Sequence, residues 1–154
     1  MKALTPFVVM STLLFSAAPS FIVQADEAAI KAAVNHPVRS SGNKARDVHR
    51  HPVETLSFFE VKPSSTVVEI SPGSGWYTEI LAPLLKEQGK YYAAHQPADA
   101  TSEYAKKSRA AFIEKLAADP VFSAVTVTGF APTAGYEVAP AGSADVVLTF
   151  RNLH

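Results

Sequence analysis

The chain has no cysteine. That excludes disulfides, thiol nucleophiles and thiolate metal sites together, so the fold must rely on packing. It has no net charge either: 14 basic residues offset 14 acidic ones. No Lys/Arg-dense stripe stands out, which argues against a nucleic-acid surface, and nucleic acid is not an expected partner. Glycine is scarce, with 7 in 154 residues, yet two of them, Gly73 and Gly75, stand one residue apart behind an apolar run. Beyond the first 25 residues there is no long apolar stretch, so that part is expected to form no membrane span. What is present is 47% hydrophobic, enough for one packed core in a chain of single-domain length.

The first 25 residues read separately. Lys2 precedes the apolar run Phe7 to Phe15, and Val23-Gln24-Ala25 has the small-x-small pattern of a signal-peptidase site. Residues 1–25 are therefore read as a secretory signal cleaved after Ala25. Ser16, Pro19 and Ser20 interrupt the apolar character, which makes a retained anchor the weaker alternative. The remainder, 26–154, is expected to be exported to the periplasm or secreted.

Asp26 to Asn35 is Ala-rich and helical by propensity, with acids in its first turn. His36 to Asp47 reads as a polar connector. A helix is predicted over His51 to Val61, with Pro52 at its first position and Val53, Leu56 and Phe59 on one face. Thr66 to Ser71 has apolar residues on both faces, as an interior parallel strand does. A helix follows from Trp76, with Ile80 and Leu84 at four-residue spacing, a bend expected at Pro83 and a stop at Gly89. Lys90 to His95 is a second strand. The next predicted helix starts with Thr101 or Ser102 as its cap and puts Tyr104, Ser108, Ala111, Phe112 and Leu116 on one side, ending at Pro120. Ala124 to Phe130 and Ala144 to Phe150 are the third and fourth strands. Strands alternating with helices predict an α/β sandwich with a mostly parallel sheet, preceded by N-terminal helices.

The glycine pair sits where the first strand hands over to a helix. In an open parallel sheet, ligands settle beyond the carboxyl ends of the strands, and a helix starting there offers unpaired N–H groups. Gly73 and Gly75 lack Cβ atoms and let a ligand reach the backbone. A tight βα turn with no ligand is the plainer alternative. A phosphate-binding P-loop needs a Gly-Lys-Ser/Thr that is absent, and Thr78 occupies the third-glycine position of the dinucleotide fingerprint, which counts against a nicotinamide cofactor. Trp76 and Tyr77 could flank a ligand, but the spacing of Trp76 favours the core. His49 and His51 suggest a metal pair, yet no third ligand lies near in sequence, so no metal is expected.

The run Glu69-Ile70-Ser71-Pro72-Gly73-Ser74-Gly75 resembles the first motif of class I S-adenosylmethionine-dependent methyltransferases, with Ser71 standing at its first glycine. Together with Arg50 to Pro63 and with Asp145 to His154, it looks like a group of exported bacterial predicted methyltransferases, over roughly Arg50 to His154. The resemblance implies a Rossmann-like methyltransferase fold of seven strands. About four are present here, so the chain is read as truncated after the fourth strand. It further implies S-adenosyl-L-methionine as cofactor, with Glu69, Ser71, Gly73 and Gly75 on its methionine side, His95 near the ribose in place of the usual acid, and Asn152 facing an unidentified substrate. No catalytic base is identified. The alternative is an exported binding module that keeps the fold without transfer activity.

Overall fold

An apolar run interrupted by a single acid needs cover on both sides, and the middle of a parallel sheet provides it. The computed structural model describes residues 19–131 and 136–150, with side chains from residue 26 onward. In it the run becomes β1 (Thr66–Ile70), with Val67 and Val68 both buried. It lies inside a sheet ordered β3-β2-β1-β4, in which β2 is Lys90–His95, β3 is Val125–Gly129 and β4 is Val146–Thr149. Every pairing is parallel: Val67 stands opposite Tyr91 on one side and Val146 on the other, and Tyr91 opposite Val125. The fold is thus α/β and Rossmann-like, with an all-parallel sheet of four strands among the described residues.

The helices in chain order are α1 (Pro19–Val34), α2 (Ser41–Lys44), α3 (Asp47–Arg50), α4 (Pro52–Phe58), α5 (Thr78–Leu85) and α6 (Glu103–Ala117). Register puts Glu69, Tyr91 and His95 on the same sheet face, since parallel neighbours in register point the same way. Thr78 of α5 meets Glu69 and Tyr91, and Phe112 of α6 meets His95, so both crossover helices cover that face. This is the arrangement right-handed crossovers require when β1, β2 and β3 advance in one direction. On the opposite face Thr128 donates from its hydroxyl to the Val138 carbonyl (3.0 Å), tying down the segment between β3 and β4. Ile30 and Ala33 bury α1 against α4 and α5.

The structure departs from several expectations and leaves others as they stand. The polar connector contains a one-turn helix, α2, and a second, α3, starts at its last residue; both are too short to show hydrophobic periodicity. Ser40 caps the first of them, accepting from the Asn43 N–H. The inner face of α6 is rotated from the predicted one: Ala105 and Phe112 are buried, whereas Tyr104 is 77% exposed and Ala111 is also exposed. Ser102 occupies the N-cap position without a side-chain cap bond. Pro52 and Leu56 of α4 are buried, whereas Phe59, its C-cap, is 43% exposed. α5 runs through Pro83 to Leu85. α1 is continuous through Ala25, and residues 1–18 of the expected signal lie outside the described residues. No helix among the described residues is long and apolar enough to cross a membrane.

Gly89 does more than stop α5. A Cβ there would lie 2.6 Å from the Ser65 carbonyl oxygen and 2.7 Å from that of Pro63. The backbone before β1 crosses directly over it, and the Lys90 N–H bonds to Ser65 O at 3.0 Å to start the β1–β2 ladder. Neither carbonyl can retreat without breaking that start. Gly89→Ala is therefore expected to destabilise the fold by about 1–3 kcal/mol, as overpacking does. Urea unfolding of the two proteins measures this, and equal midpoints would show that the strand entrance can move aside.

Candidate functional site

β1 must turn into α5 between Ile70 and Thr78, and the chain does so through left-handed backbone. Ser71, Gly73 and Gly75 have φ of 56°, 60° and 79°. For glycine this conformation is free of Cβ strain; for Ser71 it costs about 1 kcal/mol. Ser71, the one residue of the three that is not glycine, thus adopts the conformation glycine would favour. Ser71 first donates its N–H to Ala94 O at 2.9 Å, one last bond of the β1–β2 ladder, before the chain reverses. Gly75 N–H bonds back to Pro72 O at 3.0 Å. The N–H groups of Gly73 and Ser74, both exposed residues, donate to no acceptor among the described residues.

The turn leaves the carboxyl end of β1. From β1 the chain proceeds to β2 and β3 on one side, while β4 lies on the other. The order therefore reverses between β1 and β4, and the glycine turn stands beside that crevice, where open α/β sheets bind ligands. A Cβ on Gly73 would meet nothing within 4 Å, so the surface above it is open. Gly75 is enclosed instead: its Cβ would fall 3.1 Å from the Phe112 ring and 3.2 Å from Thr78.

The turn's carbonyls are held from the side of α6. Lys115 donates to Ser74 O (2.9 Å) and Gly75 O (3.3 Å), and pairs with Glu79 Oε1 at 2.7 Å. The other Glu79 oxygen accepts the Ser40 N–H at 3.2 Å. His95 reaches Gly73 O through Nε2 at 3.2 Å. Because its Nδ1 accepts the Gln96 N–H at 2.7 Å, the ring proton sits on Nε2 and is donated to Gly73. Burial holds the His95 pKa below its ordinary value, with the nearby Arg109 charge acting in the same direction, so the ring is neutral. Arg109 itself braces the neighbouring strand ends, donating to Gln96 O (2.7 Å) and Thr128 O (2.9 Å).

Beneath the turn Glu69 is buried. Its Oε2 accepts from the Tyr91 hydroxyl and, at 3.5 Å, from the Thr78 hydroxyl. The Tyr91 and Thr78 oxygens are 2.9 Å apart. Burial pushes the Glu69 carboxyl up to about 7, against the lowering effect of those two hydroxyls and of the Arg50 and Lys115 charges. Burial and the same carboxylate push Tyr91 well above its ordinary value.

On the N-terminal side Trp76 donates its indole N–H to Asn43 O at 2.9 Å and has two guanidinium groups over its ring, Arg50 at 4.6 Å and Arg39 at 5.1 Å from the centroid. Arg39 is almost wholly buried and grips Asp47 with two bonds, at 2.7 and 2.8 Å. Tyr77 stacks on Phe150 at 3.8 Å between centroids. Both aromatics belong to the core, and neither comes within 4 Å of the open position over Gly73.

The structure thus brings Glu69, Ser71, Gly73, Gly75 and His95 to one strand end, but in different roles. Gly73 presents open backbone. Gly75 makes room for Phe112. Glu69 faces the core, and both His95 nitrogens bond to main chain, which leaves the ring no free nitrogen for a ribose. Asn152 lies outside the described residues. Lys115, Glu79 and Arg39 were missed in the sequence, where each reads as an ordinary solvated charge. Among the described residues no group of three or more His, Asp or Glu is placed to hold a metal, His49 and His51 included. No family model, curated protein or solved structure matches the chain.

The buried carboxyl gives a signed pH dependence. A folded-state pKa of about 7 against 4.5 means that the folded chain binds the proton more tightly than the unfolded one. The stability this brings is full below pH 4.5 and is lost as pH rises through 7. Glu69→Gln removes that loss. Relative to wild type the variant is expected to gain on the order of 3 kcal/mol between pH 5 and pH 8. His95, whose lowered pKa favours the fold above about 6.5 and disfavours it as pH falls, is common to both proteins and cancels in the difference. Thermal melts of both across that range provide the test; a constant difference would mean that the folded chain holds Glu69 at its ordinary pKa.

Proposed function

We propose that this protein is a class I-like S-adenosylmethionine-dependent methyltransferase whose cofactor rests on the glycine turn after β1. The observation that carries the reading is the open surface over Gly73, at left-handed φ and beside two unengaged N–H groups, at the point where the strand order reverses. A methionine-type carboxylate suits such a surface, because exposed peptide N–H groups at the start of a helix favour an anion.

The fit differs along the site. At the turn, Gly73 and Ser74 supply donors and Gly73 supplies clearance. At the end of β2 the ribose cannot be held by His95, whose nitrogens are both committed. Gln96, half-buried next to it, has a side-chain amide with no partner among the described residues and is the group to contact the ribose. When bound, S-adenosylmethionine would supply an electrophilic methyl group on a sulfonium. The chain's own contribution is alignment: the turn fixes one end of the cofactor, and the β2 end fixes the other. Transfer of this kind depends on positioning more than on proton transfer.

A second reading is an exported binding module that keeps the fold without catalysis. It is favoured by the state of Glu69 and His95, both spent on internal bonds. Both readings place a ligand on the turn, and turnover separates them.

Calorimetry of the full chain with S-adenosylhomocysteine tests the cofactor. Saturable binding is expected, and Gly73→Ala, which puts a methyl group into the open space, is expected to weaken it at least tenfold, about 1.4 kcal/mol. The same variant should lower stability only by the roughly 1 kcal/mol of a left-handed non-glycine residue. No binding to wild type at millimolar ligand would sink the proposal, and unchanged affinity in the variant would remove the backbone contact from it.

A further inference from the structure

The carbonyls of Gly73, Ser74 and Gly75 all accept from side chains below the turn or on α6, and two of the three bonds come from a single ammonium group. We propose that Lys115, held by Glu79, is a positioning residue: it fixes the Ser74–Gly75 peptide unit and, through the Gly75 N–H bond to Pro72 O, turns the Gly73 N–H outward to a ligand carboxylate beside the Ser74 N–H that His95 orients. The inference rests on the cofactor reading above and adds the device that prepares the site.

A trans peptide unit carries its C=O and N–H on opposite sides, so fixing the carbonyl fixes the direction of the next N–H. His95 holds Gly73 O, which orients the Ser74 N–H. Lys115 holds Ser74 O, which directs the Gly75 N–H onto Pro72 O at 3.0 Å, and that bond in turn sends the Gly73 N–H to the other side of the Pro72–Gly73 unit. A left-handed glycine can flip its flanking peptides at little steric penalty, so a turn built from two of them needs an outside anchor. Lys115 is suited to be that anchor, because an ammonium has three protons, and here carboxylate Oε1 and two carbonyls lie within 3.3 Å. Glu79 is in turn fixed by the Ser40 N–H and is only 4% exposed at its side chain. The line Ser40–Glu79–Lys115–Ser74 thereby joins the segment after α1, helix α5, helix α6 and the turn. Lys115 adds a further benefit to an anion site, since its positive charge lies just behind the outward N–H groups.

Lys115→Met keeps the aliphatic stem and removes the ammonium. In amide NMR of the full chain, the Gly73, Ser74 and Gly75 signals are expected to shift or broaden, while signals from β2 and β3 stay in place. Calorimetric affinity for S-adenosylhomocysteine is expected to fall about tenfold. Lys115→Arg, which keeps the charge and donors, should restore most of both. Should Lys115→Met not fold, Glu79→Gln provides the second variant: it retains an acceptor for Ser40, loses the charge that orients Lys115, and should shift the same three amides. Turn amides unmoved in the variants would overturn the proposal. Moved amides with unchanged affinity would overturn the link to ligand binding. Failure of wild type to bind S-adenosylhomocysteine would instead count against the cofactor reading, because the amide shifts report on the anchor without any ligand.

Discussion

A strand buried on both faces cannot end gradually. β1 has to leave the sheet between β2 and β4 and start α5 within a few residues, and the backbone groups it exposes on the way must find partners. Three left-handed residues make the reversal possible, and a set of side-chain donors takes up the carbonyls it releases. Everything proposed about the site follows from that constraint. Once the carbonyls are bound on the inner side, the unengaged N–H groups remain for the outer one. His95 and Lys115 come from different elements, β2 and α6, so the turn is a product of tertiary packing as well as of its own glycines.

The polar groups around the turn fall into two electrostatic regimes. Glu69, Tyr91 and Thr78 form a fully buried cluster in which burial favours the protonated carboxyl, against the lowering effect of the two hydroxyls and of the Arg50 and Lys115 charges. Glu79 and Lys115 form a pair at the boundary, with Glu79 enclosed and Lys115 27% exposed at its side chain. A pair in that position retains solvation on one member and avoids the full penalty of a buried ion pair. Two carboxyls on neighbouring elements thus act in opposite ways. Glu69 fills a polar pocket under the strand end, and Glu79 steers a cation toward the turn.

The sheet was largely legible in the sequence because its signals are local. Lys90–His95 has the bounds its composition predicts, and the interior character of β1 shows in the pair Val67 and Val68. The position of the glycine turn was legible for the same reason. What stayed hidden depends on distance along the chain. Lys115 lies 41 residues from Ser74, and nothing near it in sequence distinguishes it from a solvated lysine. His95 reads as a ligand from its place at a strand end, but the Gln96 N–H and Gly73 carbonyl occupy it. Gly89 reads as a helix stop, whereas its real constraint is the oxygen of Ser65. The phase of α6 failed because Tyr104, although eight residues before the buried Phe112, faces solvent, and aromatic content alone does not show that in the sequence.

The stretch before the sheet carries a consequence for how the protein can be divided. Trp76, the residue that follows Gly75, is in contact with the Arg39 and Arg50 guanidinium groups and tethered to Asn43, while Glu79 is fastened to Ser40. Excising a unit that opens at Thr66 would strip the rear wall from the loop it was meant to preserve: the indole would be laid bare and the lysine's carboxylate left adrift. A shortened chain that keeps these contacts therefore begins upstream of Arg39, and the short helices there act as buttress for the turn.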